Sequence, residues 1–281
     1  RVNTAISDYR SFVVEKVGIG DFEQGYVIKN DPYNYTDKEG VSVKNLWMRS
    51  VKEDFANISF DEEGSLNRSF IVKDGYVYLA GRTESSSYAT VYLRVFNGST
   101  GEHIEDKYIY NSSSTSIYPC NTITKDSKGN VCIANMSTQI DAKAIVVNYV
   151  DMKTGWAEEL CRLTCPDGGR ADNISIYGDV RADKYYVFAA IKGSNRVIRW
   201  TVEGDSCTME ECTLRSFYPA SASSLGTAPL VIPITENDIL VDGVSTYLTR
   251  YDFSTGNITE SFEEKKSVAP SNAASSGGKI F

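Results

Sequence analysis

The chain has 281 residues, 37 acidic against 29 basic side chains, a formal charge of −8 and a single histidine. This balance repels a phosphate backbone and offers no basic stripe, so nucleic acid is not an expected partner. No apolar run approaches the roughly eighteen residues a helix needs to span a bilayer, so no transmembrane segment is expected, and six cysteines are too few to scaffold so long a chain.

Residues 1–66 hold strand-like pieces (SFVVEKVGI, GYVIKN, SVKNLWMRSV) between polar loops, with Asp37-Lys-Glu-Gly40 as a degenerate turn, and one irregular blade is expected there. From residue 67 the pattern sharpens. RSFIVKD and GYVYLAGR pair over Lys73-Asp74-Gly75, TVYLRVF follows, and a turn from Asn97 to Gly101 leads into HIEDKYIY. Three further copies follow. They are CNTITKDSKGNVCIANM with AIVVNYVDMKTGWAEELCRL, ISIYGDVRADKYYVFAAI with RVIRWTVEGDSCTMEECTL, and APLVIPITENDILVDGV with STYLTRYDFSTGNITESFEE. The turn glycines Gly101, Gly155, Gly204 and Gly256 lie 54, 49 and 52 residues apart.

A period near 50 with four strands per copy and no helical pattern is the form of a β-propeller, because one four-stranded sheet cannot bury both its faces and must stack on neighbours. The expectation is an all-β propeller of four-stranded antiparallel blades in a single domain, 1–281, with clear repeats over 67–264 and five or six blades. The second strand of each copy is nearly all apolar and the fourth rich in charge, which puts Tyr76–Ala80, Val131–Ala134, Tyr186–Ala190 and Asp238–Val241 on inner strands. Residues 265–281 end in Lys279-Ile280-Phe281 after a low-complexity stretch, the start of a blade either completed by the N-terminal strands or cut short.

Turns written D/N-x-x-T-G before a charged strand resemble those of the quinoprotein-like and YVTN-type β-propellers over residues 67–264. The third copy departs, with Val202-Glu203-Gly204 where Thr-Gly stands elsewhere. That resemblance implies the fold and no chemistry. The Tyr/Asn/Ser-rich texture is also similar to uncharacterised secreted or lipid-anchored envelope propellers, which implies an address outside the cytoplasm (secreted, periplasmic or surface lipoprotein), although no signal is visible in the chain.

Catalytic devices are scarce. His103 follows a turn glycine at the rim, remote from the axis, and reads as solvent-exposed filler. Asp61-Glu62-Glu63, Glu158-Glu159, Glu210-Glu211 and Glu263-Glu264 are neighbours on a strand, point to opposite faces and read as solvated rim residues. Cys120 and Cys132 either face each other across a hairpin or are ordinary buried thiols. Cys161 and Cys165 lack a second pair or a nearby histidine for zinc. The stretch from Asp167 to Asn173 is loosely oxygen-rich, without the D-x-D-x-D-G pattern of a calcium loop. No metal or cofactor is expected. Trp200 reads as core, Trp156 as exposed and Trp47 as either.

Loops 111–119, 164–172 and 216–227 join successive blades on one face, the Thr-Gly turns being expected on the other. They are expected to gather Tyr118, Arg170, Asp172 and Tyr218 around a central pocket near the axis as candidate ligand-binding residues: aromatic faces for stacking and a forked cation for carboxylate or hydroxyl groups. The expected function is a non-catalytic module that binds a protein or carbohydrate ligand. The alternative is a carbohydrate-active lyase or hydrolase with acids supplied by separate blades.

Overall fold

The computed structural model describes residues 34–36, 42–44, 46–47, 67–86, 88–137, 144–166 and 169–261. A short hairpin, β1 (Asn34–Thr36) with β2 (Ser42–Lys44), precedes four four-stranded antiparallel sheets. Blade 1 is β3 (Asn67–Lys73), β4 (Tyr76–Arg82), β5 (Val91–Asn97) and β6 (His103–Ile109). Blade 2 is β7 (Thr122–Lys125), β8 (Val131–Ala134), β9 (Ala144–Val150) and β10 (Ala157–Thr164). Blade 3 is β11 (Ser175–Gly178), β12 (Lys184–Ala190), β13 (Arg196–Glu203) and β14 (Ser206–Thr213). Blade 4 is β15 (Leu230–Pro233), β16 (Asp238–Gly243), β17 (Thr246–Asp252) and β18 (Asn257–Ser261). Each sheet is a meander, its strands paired in chain order. This is the all-β propeller of the sequence reading, and no helix of the described residues is long and apolar enough to cross a membrane.

Most of the expected N-terminal blade in 1–66, with its Asp37–Gly40 turn and Asp61–Glu63 acids, lies outside the described residues. So do Glu263-Glu264 and the closing segment 265–281.

One assignment shifts by a strand. The expected inner strands are indeed interior to their sheets, but the first strands line the axis: β3, β7, β11 and β15 together wall a central cavity of about 410 Å³. The second strands sit one place out, paired along both edges and buried over their later residues, which is why they read as apolar runs. Apolar clusters weld the faces between blades. Ile71, Ala80, Leu93 and Ile133 fill the space between blades 1 and 2. Val147, Leu163, Val187 and Trp200 fill it between blades 2 and 3, and Phe188, Val197, Ile239 and Tyr251 between blades 3 and 4. Trp200 is 1% exposed and gives its indole N–H to the Thr164 carbonyl at 3.2 Å.

The repeated turns follow from local chemistry. In blade 2 the Gly155 N–H returns to the Asp151 carbonyl at 2.8 Å, the Asp151 carboxylate accepts from the Lys153 N–H and the Thr154 hydroxyl, and Gly155 sits at φ 76°. Asp252, Thr255 and Gly256 repeat this in blade 4, and Asn97, Thr100 and Gly101 do so with an amide in blade 1. Blade 3 lacks the motif and makes a two-residue hairpin through Gly204 and Asp205.

Candidate functional site

The turns do not stand clear of the inter-blade loops. Sheet twist swings each blade's outer pair sideways, so that a turn meets the end of the preceding blade's outer strand. Tyr110 N–H bonds the Gly155 carbonyl at 2.9 Å, and Arg215 N–H bonds the Gly256 carbonyl at 2.9 Å. A Cβ on Gly155 or Gly256 would collide with the backbone carbonyl of Tyr108 or Thr213. At Gly101 the partner is Trp47, whose ring lies against the glycine, stacks on Phe96 at 6.4 Å and donates to the Gly98 carbonyl at 2.8 Å.

On the inter-blade loops, three of the four predicted residues join one network. Arg170 Nη2 reaches Asp172 Oδ1 at 2.5 Å and its Nε adds a second bond at 3.1 Å, with the Asp172 side chain 1% exposed and that of Arg170 34%. The Asp172 carbonyl accepts from Asn121 Nδ2 and Thr122 Oγ1, tying blade 3's approach to blade 2's first strand. Next along that strand's lead-in, the Arg82 guanidinium stands 5.0 Å over the Tyr118 ring and its Nη1 donates to the Cys120 carbonyl at 3.3 Å. Tyr218 is anchored separately, its carbonyl accepting from Tyr247 N–H at 2.7 Å. Contrary to the expected central pocket, none of the four lines the axial cavity, because its described walls are the first strands, with Thr124, Lys125, Asp126 and Ser127 at one end. Because Arg170 occupies the Asp172 carboxylate, that side chain is not offered to a cation. Among the described residues no group of three or more His, Cys, Asp or Glu is placed to hold a metal.

His103 differs from its sequence reading. It is partly buried, with Nε2 3.1 Å from Asp106 Oδ1 and its ring edge-on to Phe96. Arg94 holds the same carboxylate, and these bonds draw Asp106 below the usual carboxylate range against the opposing effect of burial. The described acid pairs are engaged rather than merely solvated: Glu158 with Arg181, Glu159 with Arg162, Glu210 with Arg199 and Glu211 with Arg196. All six cysteines are free; burial pushes the Cys120 thiol up to about 12, so it stays protonated and inert.

Two groups escaped the sequence reading, Arg82 and Asp242. Each is a charge closing an apolar run, GYVYLAGR and DILVDG, and each ends a second strand on the loop side. Burial pushes Asp242 up to about 6, partly offset by the Gly243 N–H that its carboxylate accepts at 2.9 Å.

No family model matches the chain, and no curated protein matches it in sequence. Among solved structures it is similar to a DUF4623 family protein from Bacteroides eggerthii, with 14% identity and a TM-score of 0.51 over 70% of this chain and 45% of that one. It is also similar to a protein of unknown function from Dyadobacter fermentans (10% identity, TM-score 0.43, 66% and 60% of the two chains) and to an engineered GH43 glycoside hydrolase (11%, 0.43, 78% and 44%). The chain thus spans less than two thirds of the length of each, and at these identities the likeness is one of fold.

Proposed function

We propose that the protein is a ligand-binding or protein-interaction module that works outside the cytoplasm without a catalytic step of its own, on a propeller of the quinoprotein-like and YVTN kind. The observation that carries this reading is the convergence of blades 1, 2 and 3 on Arg82, Tyr118, Asn121, Arg170 and Asp172. Asp172 is buried and fixes Arg170, whose side chain keeps a third of its surface exposed. A cation held this way loses little side-chain entropy on meeting a carboxylate or hydroxyl group. The kinship rests on the Asp/Asn-x-x-Thr-Gly turns, and the address on the resemblance to envelope propellers.

A glycan-array and pull-down screen with the intact chain, repeated with Arg170→Ala and Tyr118→Ala, tests this. Both variants are expected to lose the ligand. Full retention by both, or protection mapping to Gly101 and Gly256 instead of the 111–119, 164–172 and 216–227 loops, would overturn it.

Asp242 favours a second reading, a carbohydrate-active enzyme. A carboxyl that burial pushes up to about 6 has the poise of a general acid. Turnover of a glycan, lost in Asp242→Asn, would establish it in place of the first.

A further inference from the structure

The joint between blades 1 and 2 and the joint between blades 3 and 4 have the same backbone. In each, the turn glycine faces a carbonyl of the preceding outer strand and accepts an N–H from the residue two positions further on. At the second joint the side chains flanking this contact are Thr213, Arg215 and Asn257; at the first, the corresponding positions hold Tyr108, Tyr110 and Trp156. The joint therefore does not require aromatic side chains.

Those three rings are 49%, 55% and 57% exposed. They share a face. Tyr110 and Trp156 form a parallel bridge, closed by Ala157 N–H to the Tyr110 carbonyl at 2.8 Å, and Tyr108 is two residues earlier on the same side of its strand. The residues between point the other way, Ile109 and Ala157 both being buried. Bridged residues hold their Cβ atoms about 5 Å apart and alternate residues on a strand about 6.5 Å apart, so the rings form one short strip. Asn111, next after Tyr110, gives its Nδ2 to the Ala157 carbonyl at 3.1 Å.

We propose that this strip is a carbohydrate-binding platform, on which the flat apolar faces of pyranose rings stack while the Tyr108 and Tyr110 hydroxyls and the Trp156 N–H meet the sugar hydroxyls. It is a second surface, separate from the loop network. Size favours a sugar over a protein partner. Three half-exposed rings offer roughly 300 Å², well short of the ~800 Å² per partner that a stable protein interface buries. The strip needs no reorganisation, because inter-blade hydrogen bonds already fix the backbone beneath it.

Electrophoresis of the intact chain through native gels containing mixed-linkage β-glucan, xylan, galactomannan or soluble starch tests the proposal. The protein should be retarded by at least one. Trp156→Asn and Tyr110→Arg, which import the residues of the other joint, should weaken retardation at least about tenfold while leaving the melting temperature near that of the parent. Met209→Ala, an exposed apolar side chain on the outer strand of blade 3, should leave it unchanged. In the unsubstituted protein the same polysaccharide should shield indole fluorescence from iodide, which keeps the test independent of any variant's folding. Absence of retardation in all four gels, equal retardation of the variants, or unchanged quenching would overturn the platform. Loss of retardation only in Arg170→Ala would move the site to the loop face. Concentration-dependent dimerisation abolished by Trp156→Asn would make the strip a self-association surface instead.

Discussion

Blades 3 and 4 are joined by a repeated part, whereas blades 2 and 3 are joined by parts used once. At the first of these joints the Gly256 turn docks on Thr213 and Arg215. At the second the incoming blade has no such turn, and its Gly204 has only the Asp183 carboxylate near its open side, at 3.6 Å. A polar clamp stands there. Asp126 accepts from Lys128 N–H, Asn130 N–H, Asn130 Nδ2 and, across the joint, Val180 N–H at 2.9 Å. Ser127 and Gly178 exchange bonds, Asn130 reaches Asp179, and Arg181 spans to Glu158 while lying 4.9 Å over the Tyr149 ring. Blades 3 and 4 have both, the docked turn and Arg199 bonded to the Glu236 carbonyl at 2.6 Å, whereas between blades 2 and 3 the side-chain bonds stand without a docked turn.

The largest effect is expected where the singular joint is packed most tightly. Trp200→Ala removes a fully buried indole and its bond to Thr164, and should cost about 4 kcal/mol in denaturant unfolding. Asp126→Ala leaves the Val180 N–H buried without its acceptor and should cost about 3 kcal/mol. A loss under about 1 kcal/mol in Asp126→Ala would mean the clamp is ornamental, and one that small in Trp200→Ala would mean the apolar packing of this joint is.

Glycine substitutions sharpen the contrast. Gly155, Gly204 and Gly256 all have positive φ, at 76°, 55° and 71°, so alanine is strained at each. Only Gly155 and Gly256 also press on a neighbouring carbonyl. Gly155→Ala and Gly256→Ala should therefore cost about 3 kcal/mol, against about 1 kcal/mol for Gly204→Ala. Equal losses at all three would show that the docking contact adds nothing to the turn's own conformational demand.

The clamp carboxylate also contrasts with Asp242, a buried acid whose described partner is the Gly243 N–H. Its pKa lies above the unfolded value, so the folded state favours the neutral acid. That contribution is complete below about pH 4 and is lost as pH rises through about 6. Asp242→Asn, which keeps the acceptor without the charge, should match the parent near pH 4 and exceed it by on the order of 2 kcal/mol at pH 8. A constant difference across that range would mean Asp242 is not desolvated.

Much of the fold was legible because each copy carries its own signals. Asp151 with Gly155 specifies a turn, and the apolar run Val187–Ala190 specifies a strand covered on both faces. Whether Val187 sits first or second from the axis was not legible, since burial looks alike one strand in from the centre. Trp200 and Trp156 were readable from alternation and turn position. The bond from His103 to Asp106 was less so, because partners on neighbouring positions of a bulged strand depend on register. At the candidate site, that the loops carrying Tyr118, Arg170 and Asp172 lie close together followed from topology, but their place away from the axial cavity and the separation of Tyr218 did not. The role of Asp172 as a buried anchor depended on Asn121, 51 positions away, and Arg82 and Asp242 were hidden as ordinary ends of apolar strands.

Native-state hydrogen exchange at Tyr110 and Arg215 tests most directly whether the turns join the blades into one cooperative body. Their amides are bonded to Gly155 and Gly256 across the joints. Both should exchange as slowly as core amides such as those of β12, opening only with global unfolding. Exchange as fast as that of the exposed Asp205 amide would contradict the account.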